Sequence, residues 1–120
     1  MSNFDNYGKG HPGWHTILHP ILLYADKHGF QVVQVKEKFG GLRVYYDQPE
    51  AGVDKEVAGE MRRMVSAAET LSMHICEDCG LPGECANHGG GYWVLTLCPI
   101  CSKKHVDQKR IDLAAREAKA

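Results

Sequence analysis

Four cysteines in this chain of 120 residues carry the spacing that points most directly to chemistry. Cys76 and Cys79 stand three apart, as do Cys98 and Cys101, and eighteen residues separate the two pairs. Two thiolates three apart in a tight turn can reach one ion at about 2.3 Å, and two such knuckles complete a tetrahedron. This is a zinc spacing, so one structural zinc ion on Cys76, Cys79, Cys98 and Cys101 is expected. A redox dithiol or an iron–sulfur cluster is the alternative for the same sulfurs. Four sulfurs leave no coordination position for water, so the expected role is folding rather than catalysis.

Other residues of chemical interest have plainer readings. Cys85 is the odd thiol: a substitute ligand, a reactive cysteine or a tolerated loop residue. His11, His15 and His19 recur every four residues, and on a continuous helix His15 and His19 would share a face that could hold a metal. Pro12, Gly13 and Pro20 disturb that geometry, so polar or capping roles are expected for the three histidines. Lys36, Lys38, Arg43 and Tyr45 form a basic, aromatic-bearing set that suits phosphates or an acidic protein surface. The solvated face of an antiparallel hairpin calls for the same residue types. Lys103 and Lys104 open a basic stretch, but Asp107, Asp112 and Glu117 interrupt it, as on an exposed helix. A hydrolase or nuclease built on His74, Cys85 and His88 is the enzymatic alternative. No nucleophile elbow, phosphate loop or zinc-protease helix supports it, so no enzyme is expected.

The elements that must position these groups follow from periodicity. Trp14, Ile17, Leu18, Ile21, Leu22 and Ala25 recur at helical spacing, with Pro20 as an expected kink and Gly29 as a stop. Residues 30–39 and 42–46 read as strands joined by Gly40-Gly41 in a tight primed turn. Val33, Val35, Glu37 and Phe39 then share one side of the first strand, with Leu42, Val44 and Tyr46 as the matching set on the second. Val53, Val57, Met61, Met64, Ala68 and Leu71 mark a second helix, with Glu69 among its solvent-facing residues. The cysteine segment contains one clear strand, residues 92–97, with Trp93 expected in its core. A helix is expected from Lys103 onwards, and residues 1–9 read as a loose or late-docking arm. The sum is an α+β fold: a helix, hairpin and helix core (1–73), a zinc ribbon (74–101) and a C-terminal helix (102–120).

Composition narrows the function classes. A net charge of −1 gives no global pull towards nucleic acid or anionic lipid. Residues 1–30 lack the pattern of a secretory signal, and no apolar run is long enough for a bilayer. A reducing cytoplasm is therefore expected, where five cysteines favour metal or free thiols over disulfides.

Several strings add a resemblance. Lys36-Glu37-Lys38-Phe39-Gly40-Gly41-Leu42-Arg43-Val44-Tyr45-Tyr46 resembles the hallmark of small zinc-ribbon proteins associated with phages and prophages. Gly13-Trp14, Ala68-Glu69, Ser72, Cys76-Glu77-Asp78-Cys79-Gly80-Leu81-Pro82-Gly83 and the segment 91–98 fit the same pattern. The likeness spans residues 13–101, while Pro20, Cys85 and the long C-terminal helix depart from it. It implies an α-β-β-α unit followed by a zinc ribbon, a viral or mobile-element origin and a bacterial host cytoplasm, and no particular reaction. The expectation that follows is a non-enzymatic protein that binds a host or viral protein, with inhibition of bacterial antiviral defence as its concrete form. A nucleic-acid-binding zinc ribbon is the alternative.

Overall fold

The computed structural model describes residues 3–6, 10–88 and 94–119. Its elements run α1 (His15–His28), β1 (Gln31–Lys38), β2 (Gly41–Asp47), α2 (Lys55–Ser72), β3 (Glu84–Ala86), β4 (Leu95–Leu97) and α3 (Pro99–Lys119), with 3-10 turns at Asn3–Asn6 and Pro12–Trp14. The fold is α+β, with two separate antiparallel hairpins, β1–β2 and β3–β4.

The first hairpin lays one face on α1 and α2. Trp14, Leu18, Ile21, Leu22 and Ala25 of the first helical segment pack with Met61, Val65 and Ala68 of α2 and with Phe30, Val32, Leu42 and Val44 of the hairpin. Each fully buried Leu, Ile or Met contributes roughly 2–3 kcal/mol, so this cluster holds the domain together. α1 runs unbroken through Pro20 and ends at Gly29. Thr16, whose carbonyl loses its helical donor to Pro20, is exposed and open to water.

Four local expectations need correction. The hairpin turn is Phe39-Gly40, one residue earlier than Gly40-Gly41: both turn residues have positive φ, 54° and 82°, and Gly41 pairs with Lys38 in the ladder. The register shifts between Val32 and Gln34, and this bulge turns Val33 out to 52% exposure while Val32 is buried in its place. On α2 the apolar stripe uses Val65 and ends at buried Ser72, leaving Leu71 exposed. Glu69 is half-buried rather than fully solvent-facing: its Oε2 accepts the Val44 N–H at 3.0 Å.

The start of the chain is docked rather than loose at Asn3, which is buried. Its amide nitrogen donates to Asp26 Oδ1 and to the Phe30 carbonyl, and its Oδ1 accepts the Val32 N–H. α3 begins at Pro99, inside the segment assigned to the ribbon, because proline suits the first position of a helix. Its residues from Asp107 to Ala118 are all exposed, as mixed charge along a helix implies. Projection of this helix explains the radius of gyration, 17.4 Å against about 14 Å for a compact chain of this length.

Candidate metal centre

Each knuckle is built by backbone bonds that aim two sulfurs at one point. In the first, the Gly80 N–H closes a turn on the Cys76 carbonyl at 2.9 Å, and the Cys76 N–H bonds to Leu81 at 2.7 Å. In the second, Cys98 precedes Pro99 at the head of α3, and the Ser102 N–H makes the first helical bond to the Cys98 carbonyl at 2.8 Å. The Cys101 N–H points to Cys98 Sγ at 3.4 Å, so the sulfur occupies the place of a helix N-cap oxygen. An anion is favoured there, since free amides and the helix dipole both face it.

The two knuckles converge. The sulfurs of Cys76, Cys79, Cys98 and Cys101 all lie within 4.8 Å of one another, with Cys79 and Cys98 at 3.5 Å. Tetrahedral sulfurs at the zinc distance stand about 3.8 Å apart, so a small tetrahedral ion fits this cluster. Among the described residues it is the one group of three or more histidine, cysteine or acidic side chains placed to share an ion. Three of the sulfurs belong to buried residues and Cys79 is exposed. The Cys101 amide is the largest influence on Cys98 and brings its thiol down to about 7, while burial pushes Cys101 up. One sulfur is thus poised to ionise and another is costly to ionise without a cation beside it.

The ribbon is short. β3 pairs with β4, a second strand that the sequence did not announce, and Ile75 bridges to Pro82. The expected strand at residues 92 and 93, the core role of Trp93 and the glycine run 89–91 lie outside the described residues. Among the described residues Leu97 is the one buried aliphatic residue packed with the cysteines, with Leu95 half-buried against them.

Four residues lash the ribbon to the core. Gly13 donates its N–H to the Glu77 carbonyl at 2.8 Å, and its own Cα lies so close to the first knuckle that a Cβ would sit 1.9 Å from the Cys76 oxygen. Trp14 Nε1 donates to the carbonyls of Ser72 and Ile75 at 3.2 and 2.9 Å. Thr96 Oγ1 donates to the Gly40 carbonyl at 2.6 Å, and the Cys85 thiol points to the Phe39 carbonyl at 3.5 Å. The ribbon therefore clasps the turn of the β1–β2 hairpin. Gly40 is needed there twice over, for its positive φ and because a Cβ would meet Cys85 Sγ at 2.7 Å. Phe39 adopts a positive φ as a bulky residue, which costs on the order of 1–2 kcal/mol.

The other candidate residues fall elsewhere. Cys85 is outside the sulfur cluster. His88 bonds through Nε2 to the Glu84 carbonyl and through Nδ1 to Ser102 Oγ, at 2.8 and 2.6 Å. Because a carbonyl only accepts, Nε2 carries a proton. His11 stands 3.4 Å from Glu77, while His15 and His19 are exposed on α1 and share no ion site with it. Lys36 and Arg43 are cross-strand partners on the outward face of the hairpin, with Lys36 Nζ 5.4 Å from the centre of the Tyr45 ring and Lys38 further along the same face. Lys103 and Lys104 are exposed in the first turns of α3.

Glu77 is the residue that sequence reasoning passed over. It lies inside the first knuckle at 4% exposure, its N–H bonds to the Thr96 carbonyl at 3.0 Å, and its Oε2 accepts the Thr96 N–H at 3.3 Å. Burial raises its pKa to about 7. A glutamate between two cysteines of a knuckle looks solvent-bound in sequence, and nothing local marks it as buried.

Compared with models of known protein families, with curated protein sequences and with solved structures, the chain has no significant match. Among the described residues no helix is long and apolar enough to cross a membrane.

Proposed function

We propose that the chain is a non-catalytic zinc-binding module whose ribbon holds the β1–β2 hairpin in shape to engage a partner protein. The observation that carries this reading is the convergence of four sulfurs within 4.8 Å. An all-sulfur tetrahedral donor set suits zinc, and it leaves no open position at which a substrate or water could bind. The clasp of Thr96 on the Gly40 carbonyl gives the metal a task outside its own segment, because it ties the ribbon to the hairpin turn. The outward face of that hairpin carries Lys36, Lys38, Arg43 and Tyr45, which suits an acidic surface. Resemblance to phage-associated proteins supports a host or viral partner in a bacterial cytoplasm, and a role against antiviral defence.

Metal analysis is the direct test. Protein purified without added metal should carry one zinc per chain, and cobalt substitution should produce the intense visible bands of a four-sulfur tetrahedral site. Iron with bridging sulfide, or less than a tenth of an equivalent of any metal in the folded protein, overturns the reading.

A nucleic-acid role uses the same basic face and separates by salt. Phosphate contacts from Lys36, Lys38 and Arg43 would make affinity fall steeply between low and physiological salt. Absence of oligonucleotide binding even at low salt removes this alternative.

A further inference from the structure

The hairpin that presents the basic face is only two strands wide, so both of its edges need a partner or a cover. The edge of β2 is closed from within. Its outward amides at Leu42 and Val44 donate to Ser72 Oγ at 2.8 Å and to Glu69 Oε2 at 3.0 Å, both from α2. Those two bonds also establish which groups point away from the ladder. Leu42 and Val44 are paired with Glu37 and Val35, so in β1 the N–H and C=O of Val35 and Glu37 face outward as well.

At its bulged end the edge of β1 already has an imitation strand. The Asn3 side chain donates to the Phe30 carbonyl at 2.8 Å and accepts the Val32 N–H at 2.7 Å, the pair of bonds that the N–H and C=O of one residue in an adjacent strand would make. Beyond the bulge, among the described residues, no side chain does the same for Val35 or Glu37. We infer that the outer edge of β1, over residues 33–38, takes an extended acidic segment of a partner protein as a third strand. This rests on the reading of the hairpin as a protein-binding surface and specifies the form the partner takes.

The side chains state what that segment contains. On the outward face the edge strand carries Lys36 and Lys38, with Arg43 opposite Lys36. The one acidic residue between them, Glu37, turns its carboxylate back to the Gly40 N–H at 2.5 Å and leaves the lysines uncompensated. Edge lysines protect a sheet from pairing with a copy of itself, since lysine would then face lysine. The same charges favour a strand with acidic residues on that face. The inner face beside Val35 is half-buried and apolar, so the matching strand alternates acidic and apolar residues. Single-stranded nucleic acid fits less well, because lysines lie near the rings of the two exposed aromatics of this hairpin, at 5.4 Å for Tyr45 and 5.7 Å for Phe39.

The test uses the zinc-loaded full chain and a blocked seven-residue peptide alternating Glu and Val. Two versions of it carry N-methyl groups, one on every Glu nitrogen and one on every Val nitrogen. A Lys-Val peptide is the charge control. Amide exchange and NMR shifts should show protection of Val35 and Glu37 on titration with the Glu-Val peptide. One methylated version should bind about tenfold more weakly while the other keeps its affinity, because strand addition uses only alternate amides. The Lys-Val peptide should not bind. Equal affinity for the parent and both methylated peptides, or equal loss from the two, overturns the strand addition. Binding that shifts Lys36, Arg43 and Tyr45 without protecting Val35 and Glu37 also overturns it, yet leaves the protein-binding reading standing. Binding of single-stranded oligonucleotide, with none by any acidic peptide, sinks both, and concentration-dependent dimerisation through β1 replaces the partner strand with a second copy.

Discussion

The helical core and the ribbon solve the same problem with different materials. The core buries twelve hydrophobic side chains, among them Trp14, Leu18, Ile21 and Met61 at no more than 1% exposure, and draws its stability from that apolar burial. In the ribbon's buried cluster the cysteines Cys76, Cys98 and Cys101 outnumber Leu97. Among the described residues, buried Leu97, half-buried Leu95 and two three-residue strands offset little of the entropy of ordering a turn-rich segment. On the zinc reading proposed above, the ion supplies the deficit: apparent binding energies of structural zinc run to about 10–16 kcal/mol in small zinc-folded peptides. On that reading one chain holds two regions with separate sources of stability, joined at Gly13, Trp14 and the hairpin turn.

The largest effect should come from breaking the ribbon's source alone. Cys98→Ser removes both a proposed ligand and the sulfur that caps α3, so zinc content should fall from one equivalent to near none. Amide protection should then vanish across residues 75–101 while amides of α1 and α2 stay protected, as hydrogen exchange read by mass spectrometry will show. Cys85→Ser, outside the sulfur cluster, should keep the metal and change stability by less than about 1 kcal/mol. Equal loss of zinc from the two variants contradicts the ligand set, and loss of protection in α1 contradicts the division into two regions.

A second substitution attacks the joint. In Gly13→Ala the new methyl would lie 1.9 Å from the Cys76 oxygen and 2.6 Å from the Gly80 nitrogen, so backbone must move on one side or the other. No side-chain rotation relieves a clash between backbone atoms and a Cβ, and a cost above about 3 kcal/mol is expected. If the ribbon is held by its metal, zinc should remain bound while the single unfolding transition in denaturant splits in two. An unchanged midpoint with one transition shows that the core and the ribbon do not meet at this glycine.

The contrast also marks what was legible in sequence. Cys76, Cys79, Cys98 and Cys101 were legible because ligand spacing is itself a geometric constraint, and the stripes of α1 and α2 because burial repeats with the helical period. What failed depended on partners far away in the chain. Val32 and Val33 are the same residue type, so the pattern could not reveal the bulge that buries the first and exposes the second. The turn sits at Phe39-Gly40 where Thr96 and Cys85, more than forty residues on, reach the two carbonyls. Asn3 and Glu69 read as solvated polar residues, yet each satisfies edge amides of the hairpin. Three-residue strands such as β3 carry too little alternation to be seen at all.

The smallest expected effect sharpens the comparison from inside the first knuckle. Glu77 is the ribbon's one buried carboxyl, and burial raises its pKa from 4.5 to about 7, with Glu37 and Asp78 adding repulsion. A carboxyl whose folded pKa lies above its unfolded value binds more protons when folded than when unfolded. Its contribution is therefore fully present below about 4.5 and is lost as pH rises through about 7. A bound zinc with four thiolates carries net negative charge and pushes Glu77 the same way, whereas thiol ionisation makes metal binding stronger with rising pH. The two slopes oppose each other, so the wild-type profile alone does not separate them. Glu77→Gln does, because it keeps an oxygen to accept the Thr96 N–H and has no proton to lose. Relative to the wild type, the variant should gain roughly 1–3 kcal/mol in zinc-loaded stability between pH 5 and pH 8, measured by denaturation at each pH. A flat difference across that range would place the charge of Glu77 in contact with water and remove it from the ribbon's interior.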